Sequence, residues 1–517
     1  MAKEGRPDLS LGREIALVVT ISFAQLLTQA GLSQAISIQS IIGSSFKVTN
    51  PGVLSWFAAG YSLTVGTFIL LSGRAGDLYG HKRLFVFGFA WFSIWSIVCG
   101  LTRYTSSSVF FIIARVFQGI GPAIVLPNGL AILGRTYPPS GRKNLVFSIF
   151  GSTAPSGSNV GAVFASLFAQ NVNWSWAFYL MAIICFLVVL VAIVVIPQDS
   201  QNANGPGHNS RPFSDVAQQL DLWASIAGIA GLVLFNVAWN QGPVVGWGRA
   251  YIIVIFLLSF VFMTGFALLE ARVSKYPLVP KEMFNIQISL ILGCIATGWA
   301  SFGIWFYYGW LFLRLQRGGS ALLVAAQFTP TTVSGLVAAL IVAIFLRRIG
   351  AGWIMVMSMA GFLLGNLFFS IAPIAQTYWG LTFVAMCVTP FGMDMSFPAA
   401  NVIISDFVPH DKQGNAASLV NTILNYSISI GLGIAGTVEV QLNRGGTNQS
   451  DLLRGYRAAW RVGIGLAALG LALAVLLTYL IKRADDQTRR TDKESDHIRD
   501  KPRTEDATDD ESRSSNG

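Results

Sequence analysis

Charge is scarce in this sequence. Of its 517 residues, 12% are Asp, Glu, Lys or Arg, about half the share of an ordinary soluble domain. Roughly a third of those charges crowd into the last 36 residues, from Lys482 onward. The body before it carries too few to solvate a soluble surface of that size, which excludes a soluble globular protein. Cysteine is also scarce: Cys99, Cys185, Cys294 and Cys387 each lie inside an apolar stretch. No pair has metal-ligand spacing, and none sits in a loop where a disulfide would brace a secreted domain. They read as small buried hydrophobes, and the pattern calls for no metal and no cofactor. The four histidines all lie outside the apolar stretches, and no His-Glu-x-x-His string occurs, so a membrane enzyme has nothing to build on. No phosphate-cradling Gly-rich string ending in Gly-Lys-Ser/Thr occurs either, which removes ATP as an energy source. The net charge is +10, but the basic residues form short groups between apolar runs. That distribution excludes a nucleic-acid partner, which would need them on one face.

What is present is oil. Hydrophobic residues make up 53% of the chain. They fall into fourteen stretches between residues 15 and 481, each near the ~20 residues that a helix needs to cross a bilayer. Hydrocarbon offers no partner to a backbone polar group, so such stretches must be helical. A β-barrel would show short alternating strands instead. The first stretch, from about Ile15 to Ile42, is too long for a signal peptide and has no small-residue cleavage site, so it is expected as an uncleaved first span. The expected fold class is all-α integral membrane, with about fourteen transmembrane helices and the lipid bilayer as a partner. An even number of crossings places both termini on one side. Arg13, His81-Lys82-Arg83, Arg142-Lys143, Arg272 with Lys275, Arg347-Arg348 and Lys482-Arg483 all fall on that side, which the positive-inside rule makes cytoplasmic. The expected organisation is a cytoplasmic N-terminus over 1–14, helices over 15–197, a polar Gly/Pro/Asn linker over 198–221, two helices over 222–270, further helices over 271–481, and a tail over 482–517 too charged to fold.

A weak internal repeat is visible. Gly121, Pro127 and Pro138 match Gly392, Pro398 and Pro409 at a constant offset. Parallel halves of this kind are a recurring plan of transporters. Between the second and third apolar stretches lies Gly73-Arg74-Ala75-Gly76-Asp77-Leu78-Tyr79-Gly80-His81-Lys82-Arg83. Glycines there permit a tight turn and close helix approach. A lone carboxylate beside a basic trio can pair with it, or sit at another helix N-terminus, as a conformational latch. We assign Gly73, Asp77, Gly80, Lys82 and Arg83 to that latch.

That spacing resembles the signature loop of the major facilitator superfamily, and Arg115-Val116-Phe117-Gln118-Gly119 looks like the family's Arg-x-x-Gln-Gly motif. The fourteen stretches and the linker after the sixth look like its drug:proton antiporter branch. Strings such as LLTQAGLSQ, WNQGPVVGW, GWASFGIW and GMDMSFPAA resemble the fungal aminotriazole- and boron-resistance exporters and their low-affinity ammonium-transporter relatives. The resemblance implies two pseudo-symmetric six-helix bundles, over 15–197 and 271–481, with two extra central helices between them. It further implies a monomer in the plasma membrane, or alternatively the vacuolar membrane, that exchanges protons for a small-molecule substrate by alternating access. The implied substrate is a toxic compound, drug or fungal metabolite such as aminotriazole or borate; the alternative is low-affinity uptake of ammonium or another small solute. One departure matters. The branch carries an aspartate in its first helix, where this chain reads Leu27-Thr28-Gln29-Ala30.

Ionisable residues inside the spans therefore carry more weight, since a charge at mid-membrane usually marks a pathway. Arg115 in the fourth helix and Asp394 in the twelfth are the candidates for proton coupling or substrate contact, and a structural ion pair is the rival role. Glu439 and Glu270, near helix ends, read as interfacial. Gln25 and Gln29 with Ser22 and Ser33, Asn159 with Ser152 and Ser156, and Asn421 and Asn425 with Ser418 and Ser429 form polar helix faces. Such faces suit a substrate cavity or the gluing of helices. Trp299, Phe302, Phe306 and Trp310 form an aromatic stripe expected to face lipid or pack. Asn448-Gln449-Ser450 is the sequon placed to accept a glycan.

Overall fold

The computed structural model describes residues 10–137, 141–197, 218–275, 277–279, 283, 285–408, 413–444 and 448–499. Most of the linker over 198–221, the end of the tail from 500, and the matching prolines Pro138 and Pro409 lie outside them. Fourteen long helices follow in order: α1 (Leu11–Ser37), α2 (Pro51–Tyr79), α3 (His81–Leu101), α4 (Ser108–Thr136), α5 (Gly141–Asn171), α6 (Ser175–Val195), α7 (Leu222–Val245), α8 (Ala250–Arg272), α9 (Ile286–Leu311), α10 (Ala321–Phe328 continuing as Pro330–Ile349), α11 (Ala351–Ile371), α12 (Leu381–Phe407), α13 (Gln413–Leu442) and α14 (Gln449–Arg499). Among the described residues, thirteen helices are long and apolar enough to cross a membrane. The fourteenth is α5, which is 31 residues long but carries Ser152, Thr153, Ser156, Gly157, Ser158 and Asn159 at its middle.

Side-chain bonds at its two ends show that α5 runs the length of the bundle too. Glu14 at the start of α1 pairs with Arg142 at the start of α5. Asp77 near the end of α2 pairs with Arg135 near the end of α4. Lys82 at the start of α3 donates to the carbonyls of Ile193 and Ile196 at the end of α6. The other end of α5 leads into Trp174, whose ring packs on Phe46 and Phe111, beyond α1 and at the start of α4. Six antiparallel crossings account for this arrangement. The end bearing Arg13, Lys82 and Arg142 is called the basic end below.

The repeat runs through the whole body. Helix pairs α1–α5, α2–α4, α3–α4 and α3–α6 pack in the first half, and α9–α13, α10–α12, α11–α12 and α11–α14 pack in the second. A Cβ built on Gly161 would lie 2.6 Å from Ala30 Cα, and one on Gly431 would lie 2.8 Å from Ala300 Cα. Ala300 and Gly431 each stand 270 positions after Ala30 and Gly161. The same offset relates Gly80, which turns α2 into α3 at φ 95°, to Gly350, which turns α10 into α11 at φ 82°. Only glycine adopts such angles at little cost.

The halves meet along two seams, α2 against α13 and α5 against α10. Helix α7 packs on both α2 and α13, while α8 touches α7 and leaves most of its surface facing outward. The first part of the charged tail differs from expectation: α14 continues unbroken to Arg499.

Candidate functional site

Hydrocarbon makes an unpaired polar atom expensive, so buried atoms without partners mark where water or a solute belongs. Among the described residues, such atoms occur throughout the bundle, and some lie on helices that face one another across the two halves. In the first half they are Ser22 Oγ and Gln34 Nε2 on α1 and Asn159 Oδ1 on α5; in the second, Trp305 Nε1 and Trp310 Nε1 on α9 and Asp394 Oδ2 on α12. Asp394 is the charged member. Its Oδ2 lies where α5, α10 and α12 converge: a Cβ built on Gly335 would stand 2.5 Å from that oxygen and 3.0 Å from Pro155 Cγ. Glycine at 335 thus leaves the room that the carboxyl group occupies. Thr332 Oγ1 donates to Pro155 O at 3.5 Å beside it, across the seam between halves. No ion pair involves Asp394 among the described residues. An ionised carboxylate at mid-membrane costs about 2.5–3.5 kcal/mol, so this group favours a bound proton or a cation close by.

Arg115 is not brought to Asp394. It is fully buried within the first half, where Nε donates to Phe57 O at 2.9 Å, Nη2 to Gly31 O at 2.8 Å, and Nη1 to Gln118 Oε1. Its guanidinium also lies 4.4 Å above the Tyr61 ring. Gln118 passes the chain on, donating to Ser96 Oγ at 2.7 Å. Arg115 therefore ties α1, α2, α3 and α4 together and faces no carboxylate.

The loop residues divide likewise. Asp77 Oδ1 accepts from Arg135 Nη2 at 2.9 Å and stands 3.2 Å from His81 Nε2, so its chief partner comes from α4 and not from Lys82 or Arg83. His81 itself is buried, with Nδ1 2.8 Å from Asn128 Oδ1. Lys82 caps the end of α6, and Arg83 is exposed. Gly73 approaches Ser418 of α13, a built Cβ falling 3.3 Å from Ser418 Oγ, so this stretch of α2 does lie on the seam. Arg74 Nη2 donates to Pro277 O, between α8 and α9, at 3.2 Å. Sequence reading missed Glu14. It accepts from Arg142 Nε and Nη2 at 2.8 and 2.6 Å and from Tyr137 Oη at 3.0 Å. Burial and the Glu14 carboxylate push the Tyr137 hydroxyl well above its ordinary pKa.

The polar faces are partly glue. Gln29 is buried and Gln25 half-buried on α1. On α13, Asn421 Nδ2 donates to Ala417 O, and Asn425 Nδ2 to Asn421 O, both at 3.0 Å. Ser429 Oγ donates to Ala59 O of α2 at 3.2 Å and lies 2.9 Å from Asn236 Oδ1 of α7. Asn240 completes that cluster; the sequence pointed to no role for either α7 asparagine, because their partner Ser429 comes from α13, distant in sequence. The aromatic stripe on α9 is buried and does not face lipid: Trp299 Nε1 donates to Ser396 Oγ at 3.1 Å, and Trp310 stacks on Phe328. Glu439 lies near the end of α13, as expected, but its side chain is covered by other helices, being 2% exposed. Glu270 is half-buried and accepts from Leu278 N at 3.0 Å and Val279 N at 3.3 Å. Asn448 is exposed at the end opposite the basic one, and its Oδ1 accepts from Asp451 N at 2.8 Å.

Comparison with known proteins agrees with this architecture. A family model described as Major Facilitator Superfamily matches residues 19–313 and 288–508. The chain is 48% identical to a low affinity ammonium transporter of Saccharomyces cerevisiae over 91% of this chain and 90% of that protein. It is 45% identical to an efflux pump of Aspergillus terreus, over 91% and 89%, and 40% identical to an aminotriazole resistance protein of Saccharomyces cerevisiae, over 90% and 84%. A solved peptide transporter shares the fold at a TM-score of 0.61 and 13% identity, covering 89% of this chain and 94% of that one.

Proposed function

The chain belongs to the major facilitator superfamily, a multi-pass membrane transporter, and from that premise we propose that it exports a small toxic compound in exchange for protons. Its cargo is a drug-like molecule or metabolite of the size of aminotriazole, carried across the plasma membrane, with a monomer as the working unit. The basic end, carrying both termini, faces the cytoplasm, and the exposed Asn448 then faces outward as a glycan acceptor. The six-helix bundles over 15–197 and 271–481 rock about their two seams.

One observation carries this reading: the unpaired carboxyl oxygen of Asp394, at the junction of α5 with α10 and α12. A carboxyl group there takes a proton when shut away from water and releases it when its seam opens to solvent. It replaces the acid missing from Leu27-Thr28-Gln29-Ala30. Arg115 holds the first half rigid while this happens, and Gln25, Gln29, Asn159, Asn421 and Asn425 contact the cargo. Asp394→Asn is expected to slow export of aminotriazole from loaded cells about tenfold or more, and to make the residue of it insensitive to a protonophore. Unchanged, protonophore-sensitive export by the variant rejects the proposal.

A second reading is low-affinity ammonium uptake. It is favoured by the 48% identity to a protein of that name and by the same lone carboxyl group, which suits a small cation as well as a proton. Cells lacking their own ammonium uptake, grown on limiting ammonium with this chain as sole transporter, separate the two readings.

A further inference from the structure

At the end opposite the basic one, α13 carries a second carboxyl group that no role above uses. Glu439 is 98% shielded. Its Oε2 accepts from Tyr308 Oη at 2.8 Å, and its Oε1 has no partner. Tyr307 and Tyr308 of α9 and Tyr456 of α14 surround it, the ring of Tyr308 standing 5.1 Å from Tyr307 and 5.6 Å from Tyr456. Gly455 of α14 closes the remaining side, a built Cβ falling 2.9 Å from Glu439 Cγ. Helices α2, α7 and α12, which also pack on α13, bring no ionisable group to it among the described residues, and no ion pair involves it. A charge there would face aromatic rings and one hydroxyl, a costly arrangement.

The cluster also touches the boundary between halves. Tyr307 Oη donates to Pro51 O, at the first turn of α2, at 3.2 Å. Beside it Trp56 Nε1 of α2 donates to Gln241 Oε1 of α7 at 3.1 Å. Together these contacts close the far end of the α2 seam.

We propose that Glu439 is a proton-binding residue of this far seam, protonated while the seam is shut as it is here and ionised when the seam opens to water. Protonation and closure are then linked: whatever favours one favours the other. The inference rests on the proton-exchange reading but concerns a different acid and a different step, the resetting of the outer end.

The test needs no cargo. Spin labels on Tyr104→Cys, 78% exposed between α3 and α4, and on Trp379→Cys, 73% exposed between α11 and α12, report the width of the far end. The full chain, its native cysteines replaced, is placed in lipid nanodiscs and titrated from mildly acidic to mildly alkaline pH. The expected result is a short distance at low pH that gives way to a longer one as pH rises. Glu439→Gln should hold the short distance throughout. Tyr308→Phe keeps the packing but removes a hydrogen bond that Glu439 accepts only in the shut seam, so its opening should move to lower pH. The distance readout involves no export, so failure of the Asp394 reading in the export assay leaves this one standing. An absent response in the parent, or one that Glu439→Gln preserves, overturns the proposal.

Discussion

Two buried charged residues show how differently one residue type of cost can be met. Arg115 spends its donors on the backbone of α1 and α2 and on Gln118, so every neighbour is a fixed part of the first half. Asp394 has an oxygen with nothing attached. The first arrangement is structural and the second is open to a passing proton or solute. Arg115→Ala is therefore expected to lower the stability of the first half by about 3 kcal/mol or more, since it removes several charge-assisted hydrogen bonds and leaves a cavity where a large buried side chain stood. Arg115→Lys should recover little, because an ammonium lacks the planar fork that reaches several partners at once. Thermal unfolding in detergent measures both, and wild-type stability in the Ala variant rejects the role. Both residues stood out in the sequence as charges within apolar runs. Their different partners did not, because pairing depends on which helices meet.

At the scale of helices, small residues decide how closely two backbones approach. Gly161 against Ala30 and Gly431 against Ala300 are the same contact made twice, once in each half. Gly161→Val and Gly431→Val should each cost stability by overpacking, ~1–3 kcal/mol, and by amounts alike enough to betray the symmetry. Separate unfolding measurements on the two variants check this, and a harmless Gly431→Val would break the equivalence. The sequence displayed this repeat only faintly, through Gly121 with Gly392 and Pro127 with Pro398. The stronger marks, Gly80 with Gly350 and Gly161 with Gly431, lie in strings whose other residues have diverged. Thirteen of the spans were legible because hydrocarbon selects on composition; α5 is the one whose composition alone would not place it. The α9 stripe was expected to face lipid or pack, and it packs; the sequence could not separate the two because an aromatic stripe looks the same whether it meets lipid or other helices. The burial of Glu439 was not legible because its cage of tyrosines comes from α9 and α14, distant in sequence.

At the scale of the whole molecule, the α2–α13 seam runs from Ser429 against Ala59 at one end, through Tyr426 against Gly66, to Ser418 against Gly73 at the other. A Cβ built on Gly66 would stand 2.6 Å from Tyr426 N. Gly66→Leu should wedge the halves apart and abolish transport while each half keeps its own packing. Transport assays paired with size-exclusion profiles test it; full transport by the variant would mean that the seam tolerates separation.

Helix α5 has a consequence for how the chain is made. A segment with seven serine, threonine, glycine and asparagine residues in succession, but for Ala154 and Pro155 between them, gains little by leaving a translocation channel for lipid on its own. Its glycines find their match only on α1, and its neighbour α6 is strongly apolar. Biogenesis must therefore hand α5 to the bilayer in company, as a hairpin with α6 docking onto an α1 already in place. In a glycosylation-mapped insertion assay, α5 alone should pass through to the lumen, and α5 followed by α6 should stay.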